Sequence, residues 1–213
     1  MNSNVSMLVR IPVGQIHIEG MLELPKSVKG VVLFAHGSGS SRHSKRNNYV
    51  AQVLQESGIG TLLIDLLTPE EDVNVSTRFD IPLLNHRLLA ATQWLKSDLL
   101  TGSLPIAYFG ASTGAAAALQ AAAMSSDVVA VVSRGGRPDL AGVNALGKVR
   151  APTLLLVGGW DNEVIELNRL AYGYLNCPKE LHIIPGATHL FSEPGTLEQV
   201  ARLAAAWFEK YLW

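Results

Sequence analysis

The chain has 213 residues, enough for one domain with a sizeable core. A net charge of −1 and a pI near 6.6 give no general electrostatic attraction to nucleic acid or to an acidic membrane. Hydrophobic residues make up 48% and charged residues 16%, a balance that suits buried parallel strands better than a disordered or coiled-coil chain. One cysteine, Cys177, leaves no intrachain disulfide and is compatible with a reducing compartment. Met1-Asn2-Ser3-Asn4 lacks a basic segment leading into an apolar core, and no apolar run reaches the roughly 18 residues that cross a bilayer. The expectation is a soluble, cytoplasmic protein with no nucleic-acid or membrane partner.

Polar and apolar residues roughly alternate over Met7 to Val13 and over Gln15 to Leu24, with Gly14 between, which predicts an antiparallel hairpin. Val31 to Ala35 is then continuously apolar. Similar runs follow at Thr61 to Leu66, Ile106 to Phe109, Val128 to Val132, Thr153 to Val157 and Leu181 to Ile184. Short runs bounded by glycine or proline fit strands buried on both faces. Helical spacing falls between them, at Tyr49 to Glu56, Ile81 to Lys96, Thr113 to Met124, Glu166 to Leu175 and Leu197 to Leu212. Alternating strands and helices imply right-handed crossovers and a mostly parallel sheet, whose ligands bind beyond the strands' C-terminal ends.

The residues just past each run therefore carry the functional argument. Gly110-Ala111-Ser112-Thr113-Gly114 reads G-x-S-x-G between an apolar run and an alanine-rich helix. In that setting a sharp strand-to-helix turn lifts the serine above the sheet edge, with a helix N-terminus behind it. The five-residue pattern alone also fits an ordinary turn. Gly158-Gly159-Trp160-Asp161 follows the fifth parallel run, and Pro185-Gly186-Ala187-Thr188-His189 follows the sixth. Ser112, Asp161 and His189 thus occur in that order, each just past a predicted strand. Glu163 and Asp139 compete with Asp161 for the acid role; His189 by itself reads better as a surface-loop histidine, and its place after the last strand is what favours the catalytic reading.

With these residues in place the chain resembles the α/β-hydrolase superfamily, over about Val31 to Trp213. Its size and short connections look most like the dienelactone hydrolase-like branch. Dienelactone hydrolases proper carry cysteine at the nucleophile position, where this chain has Ser112; Cys177 lies elsewhere and reads as a packing residue. The resemblance implies an α/β-hydrolase fold of about eight mostly parallel strands, with helices on both faces and no large cap. The segment Ser133 to Ala151 leaves room for only a short helix. The resemblance also implies serine-dependent cleavage of an ester, lactone or thioester in a small substrate, with Ser112 as nucleophile, His189 as base and Asp161 orienting the imidazole. The backbone N–H groups of Thr113 and Ser38 would form the oxyanion hole. Acyl transfer, peptide cleavage or a non-catalytic binding role on the same fold are the alternatives.

No metal and no cofactor are expected. His43 lies near His36 but outside any zinc-binding spacing. The Gly/Ser stretch at 37–41 lacks the Gly-Lys-Ser/Thr ending of a phosphate loop, and Arg42 breaks G-x-G-x-x-G. Two basic clusters should border the site: Arg42, Lys45 and Arg46 after the first parallel strand, and Arg134 and Arg137 after the fourth. Arg42, Arg134 and Arg137 are candidates for binding an anionic substrate group, against the alternative of ion pairs with Asp65, Glu70, Asp80 or Asp139. Leu67 to Asp72, with its acidic run, reads as a solvated loop near the mouth. Oligomeric state is open: the aromatic cluster Trp207, Phe208, Tyr211 and Trp213 could reach a partner or pack in the core.

Overall fold

A computed structural model describes residues 3–212. Strands β1 (Val5–Val13) and β2 (Ile16–Leu24) form the expected hairpin across Gly14, whose φ of 61° suits the tight turn. The chain continues through β3 (Val31–Ala35), α1 (Lys45–Glu56), β4 (Gly60–Ile64), the single turn α2 (Pro69–Asp72) and α3 (Ile81–Ser97). It then forms β5 (Ile106–Ala111), α4 (Thr113–Met124), β6 (Val128–Arg134), the single turn α5 (Val143–Leu146), β7 (Thr153–Gly158), α6 (Asn162–Tyr174), β8 (Lys179–Ile184) and α7 (Thr196–Leu212).

The strands lie in one eight-stranded sheet of order β1-β2-β4-β3-β5-β6-β7-β8. β3 to β8 pair in parallel, and β2 joins antiparallel through β4. Every residue of β3, β4, β5 and β7 is buried, as continuous apolar runs in a two-sided sheet require. α1 and α7 cover one face, where Phe34 and Phe109 stack with ring centroids 4.8 Å apart. α3, α4, α5 and α6 contribute to the other. α4 lies deepest: Ala115 to Ala118 are fully buried, and small side chains let the helix approach the sheet closely. Deep in this layer the Tyr108 and Thr92 hydroxyls meet at 2.6 Å, and burial raises the Tyr108 pKa. Trp207 and Phe208 are buried on the core face of α7, and Tyr211 packs against it. Trp213 lies outside the described residues.

Two departures from the sequence reading bear on the site. α1 begins at Lys45, four residues before its apolar periodicity, because the Ser44 side chain caps it by accepting the Asn47 N–H. The acidic stretch after β4 is an ordered turn rather than a solvated loop. Thr68 and Glu71 form a reciprocal capping box, while Glu71 pairs with Arg87 and Asp72 with Arg78. Between β6 and β7 there are only a 3₁₀ turn (Pro138–Ala141) and α5, so no cap domain covers the sheet's C-terminal edge.

Candidate active site

β5 ends at Ala111, and α4 starts at Thr113, leaving Ser112 alone to reverse the chain. Its φ of 51° and ψ of −119° lie where a residue with a Cβ is strained, at a cost of about 1–3 kcal/mol. Packing maintains this conformation. The Ser112 N–H donates to the Arg134 carbonyl at 3.2 Å, and the Ser112 carbonyl accepts from the Arg137 N–H at 3.1 Å. A Cβ at Gly110 would strike the backbone of Ala115, and one at Gly114 would strike the carbonyls of Ala35 and His36. The turn thus requires glycine on both sides because strand, loop and helix meet there without room for side chains.

The other two predicted residues come together from adjacent loops. His189 follows β8, and its Nδ1–H donates to Asp161 Oδ2 at 2.6 Å. Asp161 is the N-cap residue of α6, yet its side chain makes no cap hydrogen bond; the carboxylate is turned to the imidazole instead. The loops are tied by Gly159 N–H to Ile184 O at 2.8 Å and Trp160 N–H to Ala187 O at 2.9 Å. Behind the histidine, Glu193 accepts both the N–H and the hydroxyl of Thr188, bonds that hold its carboxyl below the ordinary glutamate pKa. Asp139 is bound by Arg137, leaving Asp161 as the acid hydrogen-bonded to His189.

Ser112 and His189 line one cavity of about 240 Å³, together with Ser38, Thr113, Arg46, Asn47, Arg134 and Arg137. Its mouth carries the half-exposed Phe79 and Leu190. The loop after β3 runs against the nucleophile: a Cβ on Gly37 would lie 3.2 Å from that of Ser112. Among the described residues, the backbone N–H groups of Ser38 and Thr113 have no protein acceptor. His36, one step earlier, is a loop strut. Its Nε2 accepts the Leu66 N–H, its Nδ1 lies 2.9 Å from the Gly37 carbonyl, and burial lowers its pKa. A larger open groove of about 630 Å³ lies across the N-terminal ends of β6 and β7. Lys148 and Arg150 are the ionisable residues lining it, and it offers no nucleophile–base pair.

The three candidate substrate arginines diverge. Arg42 does not line the cavity: its guanidinium pairs with Asp65 and Glu19, and its N–H donates to Asp65 at 2.7 Å. Arg137 lines the cavity but forms a two-pronged pair with Asp139 at 2.9 and 2.7 Å, a bond that raises its pKa. Arg134 lines the cavity and has no acidic partner among the described residues. Arg46 and Asn47 are wall residues too; their place depends on the early start of α1, which Ser44 alone signalled. Cys177 is a buried free thiol beside Thr153. The described residues include no cluster of metal-ligating side chains and no helix long and apolar enough to cross a membrane.

The comparison that decides the family is with a solved structure, the dienelactone hydrolase of Anabaena variabilis. It is 54% identical to this chain, with a TM-score of 0.95, over 99% of this chain and 100% of that one. The chain belongs to the dienelactone hydrolase family. Est1E from Butyrivibrio proteoclasticus (18% identity, TM-score 0.81, 95% and 98% coverage) and the esterase domain of a Rhodothermus marinus protein (20%, 0.80, 98% and 100%) share the fold. A curated protein of Mycobacterium tuberculosis H37Rv is 58% identical over 205 residues, 96% of this chain, and carries the provisional name phosphoribosyl transferase. The match covers 46% of that protein, so the chain spans about half the length of the curated relatives it matches. No protein-family model matches the chain.

Proposed function

We propose that this member of the dienelactone hydrolase family is a serine hydrolase that cleaves an ester, lactone or thioester bond in a small substrate. The carrying observation is that Ser112, strained at the β5–α4 turn, shares its cavity with a histidine already bound to a carboxylate. Ser112 Oγ attacks the substrate carbonyl while His189 Nε2 accepts its proton. Asp161 holds Nδ1–H and stabilises the imidazolium that forms. The carbonyl oxygen takes up the electron pair against the N–H groups of Ser38 and Thr113, which lie free of other acceptors; loss of one such donor costs about 10²–10³ in rate. The intermediate collapses to an acyl-enzyme as the leaving group takes the proton from His189. Water, deprotonated by the same histidine, then releases the acid.

The curated relatives' transferase name describes proteins more than twice as long as the matched segment, and phosphoribosyl transfer is not carried over to this chain. The test is hydrolysis of short-chain p-nitrophenyl esters by the wild type and Ser112→Ala, with fluorophosphonate labelling alongside. The expected result is an activity loss on the order of 10⁴-fold or more and no label on the variant. Equal activity in the two proteins, or label on another residue, would overturn the assignment of Ser112.

A further inference from the structure

The loop leaving β6 separates the nucleophile from the base. On one side it is tied to Ser112: the Arg134 carbonyl accepts the Ser112 N–H at 3.2 Å, and the Arg137 N–H donates to the Ser112 carbonyl at 3.1 Å. Between those bonds the Gly135 N–H donates to the Leu156 carbonyl at 2.7 Å, on the strand that leads to Asp161. On its other side the loop rests against His189. Gly135 has a φ of 51°, and a Cβ there would lie 3.2 Å from the His189 carbonyl oxygen and 3.6 Å from the ring carbon Cε1. Gly135 and Gly136 are both buried, and neither puts a side chain in the gap. The loop therefore acts as a spacer whose thickness sets how Ser112 and His189 face each other.

One side chain from α6 holds this spacer. Asn168 is fully buried, and its Nδ2 donates to the Gly136 carbonyl at 3.0 Å and to the Val164 carbonyl at 2.8 Å. The Val164 bond stays within the helix. The Gly136 bond joins positions 32 residues apart and ties the spacer to the helix that Asp161 caps, about two turns beyond that cap. The other buried residues of α6 are the apolar Val164, Ile165 and Ala171, and a carboxamide among them is unfavourable unless its polar atoms are bonded. Both amide hydrogens are used, while Oδ1 has no partner among the described residues. The side chain serves as a donor, and the acceptor it reaches outside its own helix is the spacer.

Resting on the hydrolase reading, we propose that Asn168 is a positioning residue. Through Gly136 it fixes the loop at 134–137, and so the approach of His189 Nε2 to Ser112 Oγ, without touching a reacting atom. Loss of the bond frees the spacer to shift, and a displacement of about 1 Å between reacting groups costs on the order of 10²-fold in rate.

The experiment uses Asn168→Ser, whose shorter hydroxyl still reaches the Val164 carbonyl one turn back but not Gly136. Asn85→Leu is the control for a merely structural loss: Asn85 is also buried, bonds Gln120 between α3 and α4, and does not line the cavity. With short-chain p-nitrophenyl esters, kcat of Asn168→Ser is expected to fall about ten- to hundredfold with KM near that of the wild type. Fluorophosphonate labelling of Ser112 should slow in parallel. Asn85→Leu should lower the melting temperature and leave kcat unchanged. The His189 ring resonances, assigned by NMR with His189→Gln, report the imidazole's surroundings without catalysis; they should move in Asn168→Ser and stay in Asn85→Leu. If Asn168→Ser fails to fold, Gly135→Ala carries the test from the other side of the loop, since its Cβ presses on His189. A wild type that neither hydrolyses nor takes the label, with His189 resonances that depend on Asn168, would sink the hydrolase reading and leave the positioning role standing. Unchanged kcat in Asn168→Ser, a fall no larger than that of Asn85→Leu, or His189 resonances indifferent to Asn168 would overturn it.

Discussion

Arg42 lies in the loop after β3 and Arg134 is the last residue of β6, both at the C-terminal ends of parallel strands, yet they sit in opposite electrostatic settings. Arg42 bridges Asp65 beyond β4 and Glu19 on β2, so it fastens the loop after β3 to the antiparallel side of the sheet. Arg134 lies under the catalytic cavity, buried, with a neutral amide for a partner and a second arginine nearby. Burial alone does not tell scaffold from binding site; the presence or absence of a neutralising acid does. A charge matched by the fold stabilises the fold, and an unmatched one is available to a ligand.

That contrast is sharpest where function and stability should separate. Asp161→Asn on the cavity side should lower kcat on the order of 10³–10⁴-fold by releasing the imidazole's orientation, while thermal unfolding stays near that of the wild type. A matching collapse in melting temperature would mean that the Asp161–His189 bond is chiefly structural. On the other side, Arg42→Gln leaves Asp65 and Glu19 facing each other without a cation. Chemical denaturation should show a loss of about 1–2 kcal/mol, between the values for exposed and buried pairs. Ester hydrolysis should be unaltered, because Arg42 does not line the cavity; a clear fall in kcat/KM would erase the distinction between Arg42 and the cavity arginines.

The smallest effect concerns His36, the strut of the same loop. Burial lowers its folded-state pKa below the unfolded value of 6.5, partly offset by the Gly37 carbonyl, Asp65 and Asp72. A lowered pKa leaves its contribution to stability intact above pH 6.5 and removes it as pH falls through the folded-state value. Unfolding free energies measured from pH 7 down to 5 should decline, and the decline should be shallower in His36→Asn. Equal slopes would show that His36 is not buried in its neutral form.

The strands were legible because their apolar runs are continuous, and a parallel sheet buries both faces. Most were extended by one or two residues at an end, where pairing continues beyond the hydrophobic stretch, as at Ser133 and Arg134 of β6. α4 matched from Thr113 to Met124 because it is a continuous run of alanine and other small or apolar residues broken only by Gln120. α1 begins four residues before its apolar periodicity because its first turn is polar and set by the Ser44 cap, which periodicity does not see; α6 also begins four residues earlier than its spacing suggests, at Asn162, with Val164 and Ile165 buried in its first turn and no side-chain cap from Asp161. The acidic turn α2 was missed for a related reason: capping and pairing with Arg78 and Arg87 ordered residues that composition alone assigns to solvent.

By itself the sequence determined the alternation of strands and helices, and the placing of Ser112, Asp161 and His189 just past strand ends. These follow from local hydrophobic pattern and from the rule that such sheets present their loops at one edge. Tertiary structure decided which acid reaches which base. Asp139 and Asp161 look alike along the chain, but one faces Arg137 and the other His189. It also decided that Arg42 is neutralised while Arg46 and Arg134 are not. Charge pairing depends on distances between residues such as Arg42 and Asp65 that only the closed sheet brings together, and no spacing along the chain encodes it.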